Sequence, residues 1–560
     1  MKFMGALLVL LLLAPSVLAA EGSIKLLALV EGDGESHGTL ADLALETRPG
    51  SEHVYLDTFP LTKIATQISM RFAEQVSCAE LDLDCSDTDF FYTIRAAPGI
   101  VGGPSAGAAA AVLTTALVDG RILNPNIGIT GTINSGGLIG PVGGLPQKIE
   151  AAAEGGLKQV LIPKGTAILK EGNTTVDLIK LGKELGIQVI EVATLDEAME
   201  YFTGKPIQTS NPPFVIEAQY SQTMKDVARE LCSKYPPSDD EAVTNLTTAA
   251  DAFFAGGEYY SAASYCFRAN ILLREDELQM LDKDTFKTEV AKTQQNAAAL
   301  DKQTEAQKLT TMTDIQTYML VKERIAETQD ALPRLAKVKN VDATAIEDLS
   351  YAEERLTSAE TWARFFGKGG QAYAVDPETL QNSCYSKIGE AEERFDYVQS
   401  LFPQTLAATR KTIDRAFEYA KDGSYVLCLH DAAKAKSEAD SLLSLTGVEQ
   451  DRVQEIIQVK LDVTRRSLAR AQGKGTFPLI GYAYYEYARA LRKEDPYSSL
   501  LFAEYASELS NLDIYFTKHK RTLIDFSSLR DITLAFGVGV VVGGWFIYAR
   551  AVRRRKRPAK

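Results

Sequence analysis

Hydrophobic and polar residues follow different patterns in the two halves of the chain. Up to residue 205, short aliphatic runs alternate with longer stretches in which apolar residues recur at helical spacing. A short aliphatic run predicts a strand. The runs of this kind are Ile24–Val30, Phe90–Ile94, Gln159–Ile162 and Ile187–Ile190. Because strands and helices alternate, the pattern predicts a mixed α/β domain over residues 24–205.

Helices are predicted between these strands. The helical stretches are Leu61–Gln75, the segments that follow Ser105 and Pro146, and Leu195–Phe202. The last of them is preceded by Thr194, with Glu197 three residues later. This spacing predicts a capping box, in which each side chain accepts a hydrogen bond from the other residue's backbone N–H.

The second half of the chain has almost no strand signals. Residues 206–215 contain three prolines and predict a linker, and residues 216–530 are rich in good helix formers. Small and aromatic residues surround three tight turns, at Gly256-Gly257, Asp422-Gly423 and Asp495-Pro496. These hairpins resemble the tetratricopeptide pattern, but their period is not that of the repeat. A repeat array and a plain helical bundle therefore both remain open.

Both ends of the chain indicate a membrane. Lys2 followed by the aliphatic run Leu7–Leu13 and small residues predicts a secretory signal peptide over residues 1–20, with an uncleaved anchor as the alternative. Ile532–Ala549 contains 18 residues without a charge, which is enough for one transmembrane helix. Residues 550–560 are strongly basic, as cytoplasmic flanks are. We expect a single-pass protein of the cell membrane, with its large part outside the cytoplasm and a short basic tail inside.

Charge and cysteine content exclude some classes of partner. The net charge is −14, which argues against binding to nucleic acid. The chain lacks C-x-x-C motifs and has only four histidines, so we expect no metal and no cofactor. Six cysteines in an oxidising compartment predict disulfide bonds, and proximity in sequence favours one set of pairs. These pairs are Cys78–Cys85, Cys232–Cys266 and Cys384–Cys428.

One serine and one lysine carry the candidate chemistry. Ser105 lies in Gly-Gly-Pro-Ser-Ala-Gly, directly before the alanine-rich helix predicted for Ala108–Leu117. Small neighbours leave its hydroxyl uncovered at a helix start, where free N–H groups can bind an oxyanion. A serine needs a base, and the histidines lie in no recognisable triad motif. Lys148 follows small and apolar residues that can bury its amine and so keep it neutral.

Three motifs together resemble the proteolytic domain of the Lon family of Ser/Lys peptidases. They are Gly-Pro-Ser-Ala-Gly, Thr130-Gly131 and Gly-Pro-Val-Gly-Gly-Leu-Pro-Gln-Lys. Ser105 and Lys148 are separated by 43 residues, and Thr130 lies 18 residues before the lysine, as in that family. The resemblance covers residues 24–205. It implies that Ser105 is the nucleophile, Lys148 the general base and Thr130 its orienting partner, with the amides of Ser105 and Ala106 as oxyanion donors.

The chain also departs from that family. Gly102 stands where bacterial members carry an acidic residue, and no Gly-Lys pair is followed by Ser or Thr, so a Walker A motif is absent. The sequence therefore predicts an ATP-independent, membrane-anchored serine endopeptidase that acts on unfolded extracytoplasmic polypeptides. The alternative is a membrane-anchored helical-repeat scaffold or binding protein with a vestigial Lon-like domain. The intact serine, lysine and threonine favour the enzyme. Because Lon-type domains commonly form rings, a homo-oligomer is also expected.

Overall fold

The computed structural model describes most of the chain between residues 20 and 512. The described residues are 20–32, 35–59, 61–96, 103–171, 174–207, 213–370, 372, 376–403, 405–446, 448–510 and 512. A mixed α/β region precedes an all-helical region, which confirms the predicted fold class at that level. The predicted leader and transmembrane segment lie almost wholly outside the described residues, and β1 begins at Ala20. Within the described ranges, no helix combines the length and the apolar character that crossing a bilayer requires.

The α/β region is organised around one large sheet. Its seven strands have the order β11-β8-β5-β1-β2-β4-β3, and two further sheets pair β6 with β7 and β9 with β10. The strands are β1 Ala20–Gly32, β2 Glu35–Pro49, β3 Val54–Phe59, β4 Thr88–Ala96, β5 Ile127–Ile129, β6 Thr132–Asn134, β7 Leu138–Gly140, β8 Gln159–Pro163, β9 Ile168–Glu171, β10 Thr174–Asp177 and β11 Gln188–Val192.

All four predicted strands are present, and the strand that follows the first of them was missed. β2 pairs antiparallel with β1, with Leu26 opposite Ala41. Along β2, the buried residues Ala41, Leu43 and Leu45 alternate with more exposed ones. This period of two is the usual signal of a strand with one face in the core. The sequence of β2 therefore carries the signal of a strand.

Five helices are described in the α/β region. They are α1 Ile64–Glu80, α2 Gly107–Val118, α3 Leu145–Glu154, α4 Leu178–Glu184 and α5 Leu195–Thr203. α1 begins three residues later than predicted and extends five residues further. The predicted capping box of α5 is only half formed. Thr194 Oγ1 accepts from the Glu197 N–H at 3.2 Å, but the Glu197 carboxylate accepts from the Ala193 N–H at 2.7 Å.

The helical region has twelve described helices. They are α6 Ala218–Cys232, α7 Glu241–Gly256, α8 Tyr259–Gln279, α9 Lys283–Glu305, α10 Met312–Leu335, α11 Ala343–Trp362, α12 Pro377–Leu401, α13 Ala407–Lys421, α14 Tyr425–Leu443, α15 Val453–Gly473, α16 Leu479–Leu491 and α17 Pro496–Leu509. The three predicted hairpins are α7–α8, α13–α14 and α16–α17. The tetratricopeptide-like array stays a prediction, as does the plain helical bundle.

Three disulfide bonds join the six cysteines in the predicted pairs. Cys78–Cys85 closes a short loop at the end of α1. Cys232–Cys266 links α6 to α8, and Cys384–Cys428 links α12 to α14. The prediction of the pairing is confirmed. Since cross-links reduce the freedom of the unfolded chain, the two longer ones stabilise the helical region.

Ion pairs join the α/β region to the helical region. Arg470 on α15 binds the carboxylate of Glu80 through two hydrogen bonds of 2.7 Å, and both side chains are largely buried. Arg452 makes a second two-point contact, with Glu191 on β11 at 2.8 and 2.9 Å. Such forked contacts fix orientation as well as distance. The two regions therefore meet in one defined arrangement.

Candidate active site

Ser105 lies in a short turn directly before α2. Pro104–Ala106 forms a single 3₁₀ turn, and α2 starts at Gly107. The serine is partly exposed, whereas Ala108 and the residues after it are fully buried. A Cβ at Gly107 would lie 3.0 Å from both the backbone nitrogen and Cγ2 of Ile133, so this glycine lets the helix approach β6 closely. The tight contact leaves the serine at the accessible end of a buried helix.

Lys148 is buried near the start of α3. It is 2% exposed, and Leu145 and Ile149 beside it are fully buried. Burial lowers the pKa of Lys148 to about 7, because the charged ammonium loses its hydration. A large fraction of the amine is therefore neutral at neutral pH. A neutral amine is the form of lysine that can accept a proton from a serine.

Thr130 and Gly131 connect these two residues. Lys148 Nζ donates a hydrogen bond to Thr130 Oγ1 at 3.3 Å. The N–H of Gly131 donates to the carbonyl oxygen of Ser105 at 3.3 Å, and the Gly131 carbonyl accepts from the Ala108 N–H at 3.0 Å. A two-residue segment therefore contacts the lysine on one side and the serine's turn on the other. The structure brings the three predicted residues to one place.

The link between the serine and the lysine runs through Thr130 and Gly131. Among the hydrogen bonds of the described residues, Lys148 Nζ is paired with Thr130 and not with Ser105 Oγ. Catalytic hydrogen bonds often form only when substrate binds. Ser105 and Ala106 lie in the turn at the N-terminal end of the helical segment, which carries partial positive charge. This is the expected position for oxyanion donors, and that role stays a prediction.

The loop before Lys148 is fixed on both sides. Gly144 has a φ of 65°, and a Cβ at this position would lie 2.4 Å from Leu29 Cδ1. On its other side, the N–H of Gly143 donates a hydrogen bond to Tyr397 Oη at 2.9 Å. Tyr397 belongs to α12, in the helical region. Sequence analysis did not find this residue, because no local pattern relates positions 254 residues apart.

Further side chains of the helical region contact the segment that follows Gly131. Arg394 Nη2 donates to Asn134 Oδ1 at 2.9 Å, and Ser135 Oγ donates to the carboxylate of Glu508 at 2.5 Å. Glu508 also accepts from Lys387 at 2.5 Å and from Lys436 at 2.8 Å. Burial alone would raise the pKa of Glu508, but the two ammonium groups outweigh it and hold the pKa far below its usual range.

A small crevice lies beside Pro104, the residue that precedes Ser105. It separates α1 and the Ser105 turn from α12. Its lining includes Pro104, Ile133, Ile68, Phe72, Glu393 and Arg394. Burial raises the pKa of Glu393 to about 7, although the Arg394 guanidinium lowers it in part. The helical region therefore forms a wall of the space next to Ser105 and brings a titratable carboxyl to it.

One group of side chains has the composition of a metal site. Glu74, Cys78 and Cys85 place possible ligand atoms within 4.8 Å of one another. The two cysteines are joined in a disulfide bond, so neither offers the thiolate that binds zinc. Burial raises the pKa of Glu74 to about 8, which leaves the carboxyl mostly protonated at neutral pH. This group therefore does not fit a metal ion.

Comparisons with known proteins identify the region that holds the three residues. Residues 88–201 match the family described as Lon protease (S16) C-terminal proteolytic domain. The archaeal Lon protease of Archaeoglobus fulgidus is 30% identical over 171 residues, which is 30% of this chain and 26% of the relative. The Lon protease of Paraburkholderia phytofirmans is 37% identical over 93 residues, which is 16% of this chain and 12% of the relative.

The match to a human relative is also confined to part of each chain. The peroxisomal Lon protease homolog 2 of Homo sapiens is 30% identical over 143 residues, or 26% of this chain and 16% of the relative. The chain thus spans about a quarter or less of the length of these relatives. The family match begins at β4 and includes Ser105, Thr130 and Lys148. The resemblance is confirmed at this level: residues 88–201 match the Lon protease (S16) C-terminal proteolytic domain.

Proposed function

We propose that this chain is a serine endopeptidase in which Ser105 is the nucleophile and Lys148 the general base. The observation that carries the proposal is the state of the lysine. Lys148 is buried, its pKa is lowered to about 7, and its amine is held by Thr130, whose neighbour Gly131 contacts the Ser105 turn. A structural lysine on an α/β domain is normally solvated and charged. A neutral amine beside an accessible serine is the arrangement that Ser/Lys chemistry needs.

The proposed reaction has two halves. The Lys148 amine takes the proton of the Ser105 hydroxyl as the oxygen attacks the peptide carbonyl carbon. The N–H groups at the start of the helical segment, those of Ser105 and Ala106, stabilise the negative oxygen that forms. When the peptide C–N bond breaks, the lysine gives its proton to the leaving amine. A water molecule, deprotonated by the same amine, then hydrolyses the acyl ester and restores the serine.

We further propose that the substrates are unfolded polypeptides outside the cytoplasm. The sequence lacks a Walker A motif, so it offers no recognised site for nucleotide-driven unfolding. Folded domains are stable by about 5–15 kcal/mol, and an enzyme without a motor depends on spontaneous opening. The patterns at both ends of the chain support a membrane anchor with the large part outside. Three disulfide bonds agree with an oxidising compartment.

The test combines an acylating probe with peptide cleavage by the full chain. We expect Ser105→Ala to lose both probe labelling and cleavage. Lys148→Ala should lose cleavage because the amine is removed. Lys148→Arg should lose cleavage because a guanidinium does not release its proton. Lys158→Ala is the matched control, since this lysine is exposed in the same domain. Cleavage at the wild-type rate in any of the first three variants contradicts the assignment. A wild-type chain that neither labels nor cleaves would instead favour the scaffold alternative.

The absence of nucleotide dependence is tested with paired substrates. One protein substrate is prepared in a stable and in a destabilised form, and each is incubated with the full chain with and without ATP. We expect the destabilised form to be degraded faster, and ATP to change neither rate. Equal degradation of both forms, or acceleration by ATP, would overturn this part of the proposal.

A further inference from the structure

Helix α12 contacts the catalytic loops at two points on one of its faces. Arg394 and Tyr397 are three residues apart, so their side chains lie on the same side of the helix. Arg394 holds the end of β6 through Asn134, and Tyr397 holds the loop before α3 through the N–H of Gly143. One helix of the helical region therefore contacts both the end of β6 and the loop that follows β7.

These contacts lie close to the reacting groups along the chain. Asn134 is three residues after Gly131, whose backbone is hydrogen-bonded to the Ser105 turn. Gly143 is five residues before Lys148, and Gly144 between them accepts from the Lys148 N–H at 3.1 Å. A shift of the Gly143 loop would therefore move the first turn of α3 and with it the amine. Displacements of about 1 Å in a catalytic group lower rates by large factors.

The helix itself is held in place. Lys387, near the middle of the helix, forms ion pairs with Glu390 at 2.6 Å and Glu508 at 2.5 Å, all three being buried. Arg394 lies 2.6 Å from the carboxylate of Asp440 on α14, and a disulfide bond links α12 to the same helix. Because α12 is fixed by these contacts, it can act as a rigid support for the loops that it touches.

Of the two residues of α12 that contact these loops, Tyr397 contacts the loop before Lys148 through one hydrogen bond. Its hydroxyl oxygen accepts from the Gly143 N–H at 2.9 Å, and burial raises the pKa of the phenol, so the group stays uncharged at neutral pH. The loop carries two consecutive glycines, Gly143 and Gly144, and glycine backbones are free to move when they are not held. An acceptor at this position restricts the loop.

We propose that Tyr397 is a positioning residue for the peptidase reaction, and that the helical region thereby completes the active site through the hydrogen bond to Gly143. This inference rests on the proposed function. It assigns to the helical region a role in the chemical step, in addition to any role in holding substrate. The residue does not touch the reacting atoms. It acts through the loop that sets the position of Lys148.

The experiment compares Tyr397→Phe with Tyr385→Phe in the full chain. Both variants remove one hydroxyl from α12, but Tyr385 is exposed and its hydroxyl contacts Gln381 of the same helix. Three quantities are measured: kcat and KM for a peptide, the melting temperature, and the rate of hydrogen exchange at the Gly143 amide. We expect Tyr397→Phe to lower kcat about twofold to tenfold and to speed the exchange by a similar factor, which corresponds to the loss of one hydrogen bond.

A change in kcat and in Gly143 exchange, without a change in KM or melting temperature, distinguishes positioning from a general structural effect. In Tyr397→Phe, KM and the melting temperature should stay at wild-type values, and Tyr385→Phe should match the wild type throughout. A wild-type kcat in Tyr397→Phe overturns the proposal, and so does a lower kcat without faster exchange at Gly143. If the wild type itself shows no turnover, the proposed function fails, and the exchange rate alone decides whether Tyr397 holds the loop.

Discussion

The pH dependence of Ser105 acylation follows from the burial of Lys148. Only the neutral amine can take the serine proton, so the rate should rise with pH as the ammonium is deprotonated. With its pKa lowered to about 7, half of the lysine is neutral near pH 7. The predicted rate therefore increases about tenfold from pH 5 to pH 6 and levels off above about pH 8, since each pH unit below the pKa lowers the neutral fraction about tenfold.

The size of the effect is set by the shift in pKa. An exposed lysine, with its ordinary pKa of 10.5, would be neutral in only about 0.03% of molecules at pH 7. The fall of the pKa from 10.5 to about 7 corresponds to about 5 kcal/mol in favour of the neutral form, and it raises the neutral fraction at pH 7 by about three orders of magnitude. A change that lets water reach the amine would return the pKa towards 10.5. The midpoint of the profile would then move to higher pH.

The assay uses a small uncharged acylating probe, so that the probe itself does not titrate. The second-order rate constant for labelling of Ser105 is measured by intact mass between pH 5 and 9.5. Glu393 is the main competing explanation for a midpoint near 7, because burial raises its pKa to the same region. In Glu393→Gln the midpoint should remain. A profile that is flat, that rises only above about pH 9, or that loses its midpoint in Glu393→Gln would refute the assignment of the base.

Three other predictions concern stability and backbone geometry. Native Lys148 loses its proton near pH 7, but the unfolded chain keeps it up to about 10.5, so wild-type stability should rise with pH in this window. Lys148→Met should remove that rise and increase the free energy of unfolding by about 4 kcal/mol at pH 7. The free energy of unfolding is measured with denaturant at two pH values. An equal change with pH in the wild type and in Lys148→Met would be the contrary result. Replacing Cys232 and Cys266 together by serine should cost about 3–4 kcal/mol for a closed loop of this length, as chemical denaturation would show. Gly144→Ala, with a Cβ 2.4 Å from Leu29, should lower peptide cleavage and the melting temperature, and wild-type values for both would contradict the close packing.

Local patterns were sufficient to predict four of the described strands and the three helical hairpins. Aliphatic runs identified strands such as β1 and β8, and small and aromatic residues around tight turns identified the helical hairpins. The pairing of the cysteines followed from their proximity, as in Cys384 and Cys428. Ser105, Thr130 and Lys148 were predicted from motif spacing, and the structure places them together. These features depend on residues near one another in sequence, or on spacing that a family resemblance supplies.

Contacts between distant residues were beyond sequence reasoning. Tyr397 and Gly143 are 254 residues apart, and Arg394 and Asn134 are 260 apart. Nothing in the composition of an amphipathic helix indicates which loop of another region its polar residues will contact. The capping box is incomplete for a related reason. Several N–H groups lie near the Glu197 carboxylate, and it accepts a hydrogen bond from that of Ala193. Sequence spacing indicates which hydrogen bonds are possible, and the packing of the folded chain determines which of them form.

The ion pairs between the two regions have a consequence for folding. Glu80 and Arg470 are largely buried against each other, and Glu191 and Arg452 form a second pair. Removal of one region would take away these two-point contacts, which fix how the other region packs. Neither region is therefore expected to keep its native stability alone. The two should unfold in one transition, and the proline-rich segment between them serves as a connection inside a single cooperative unit.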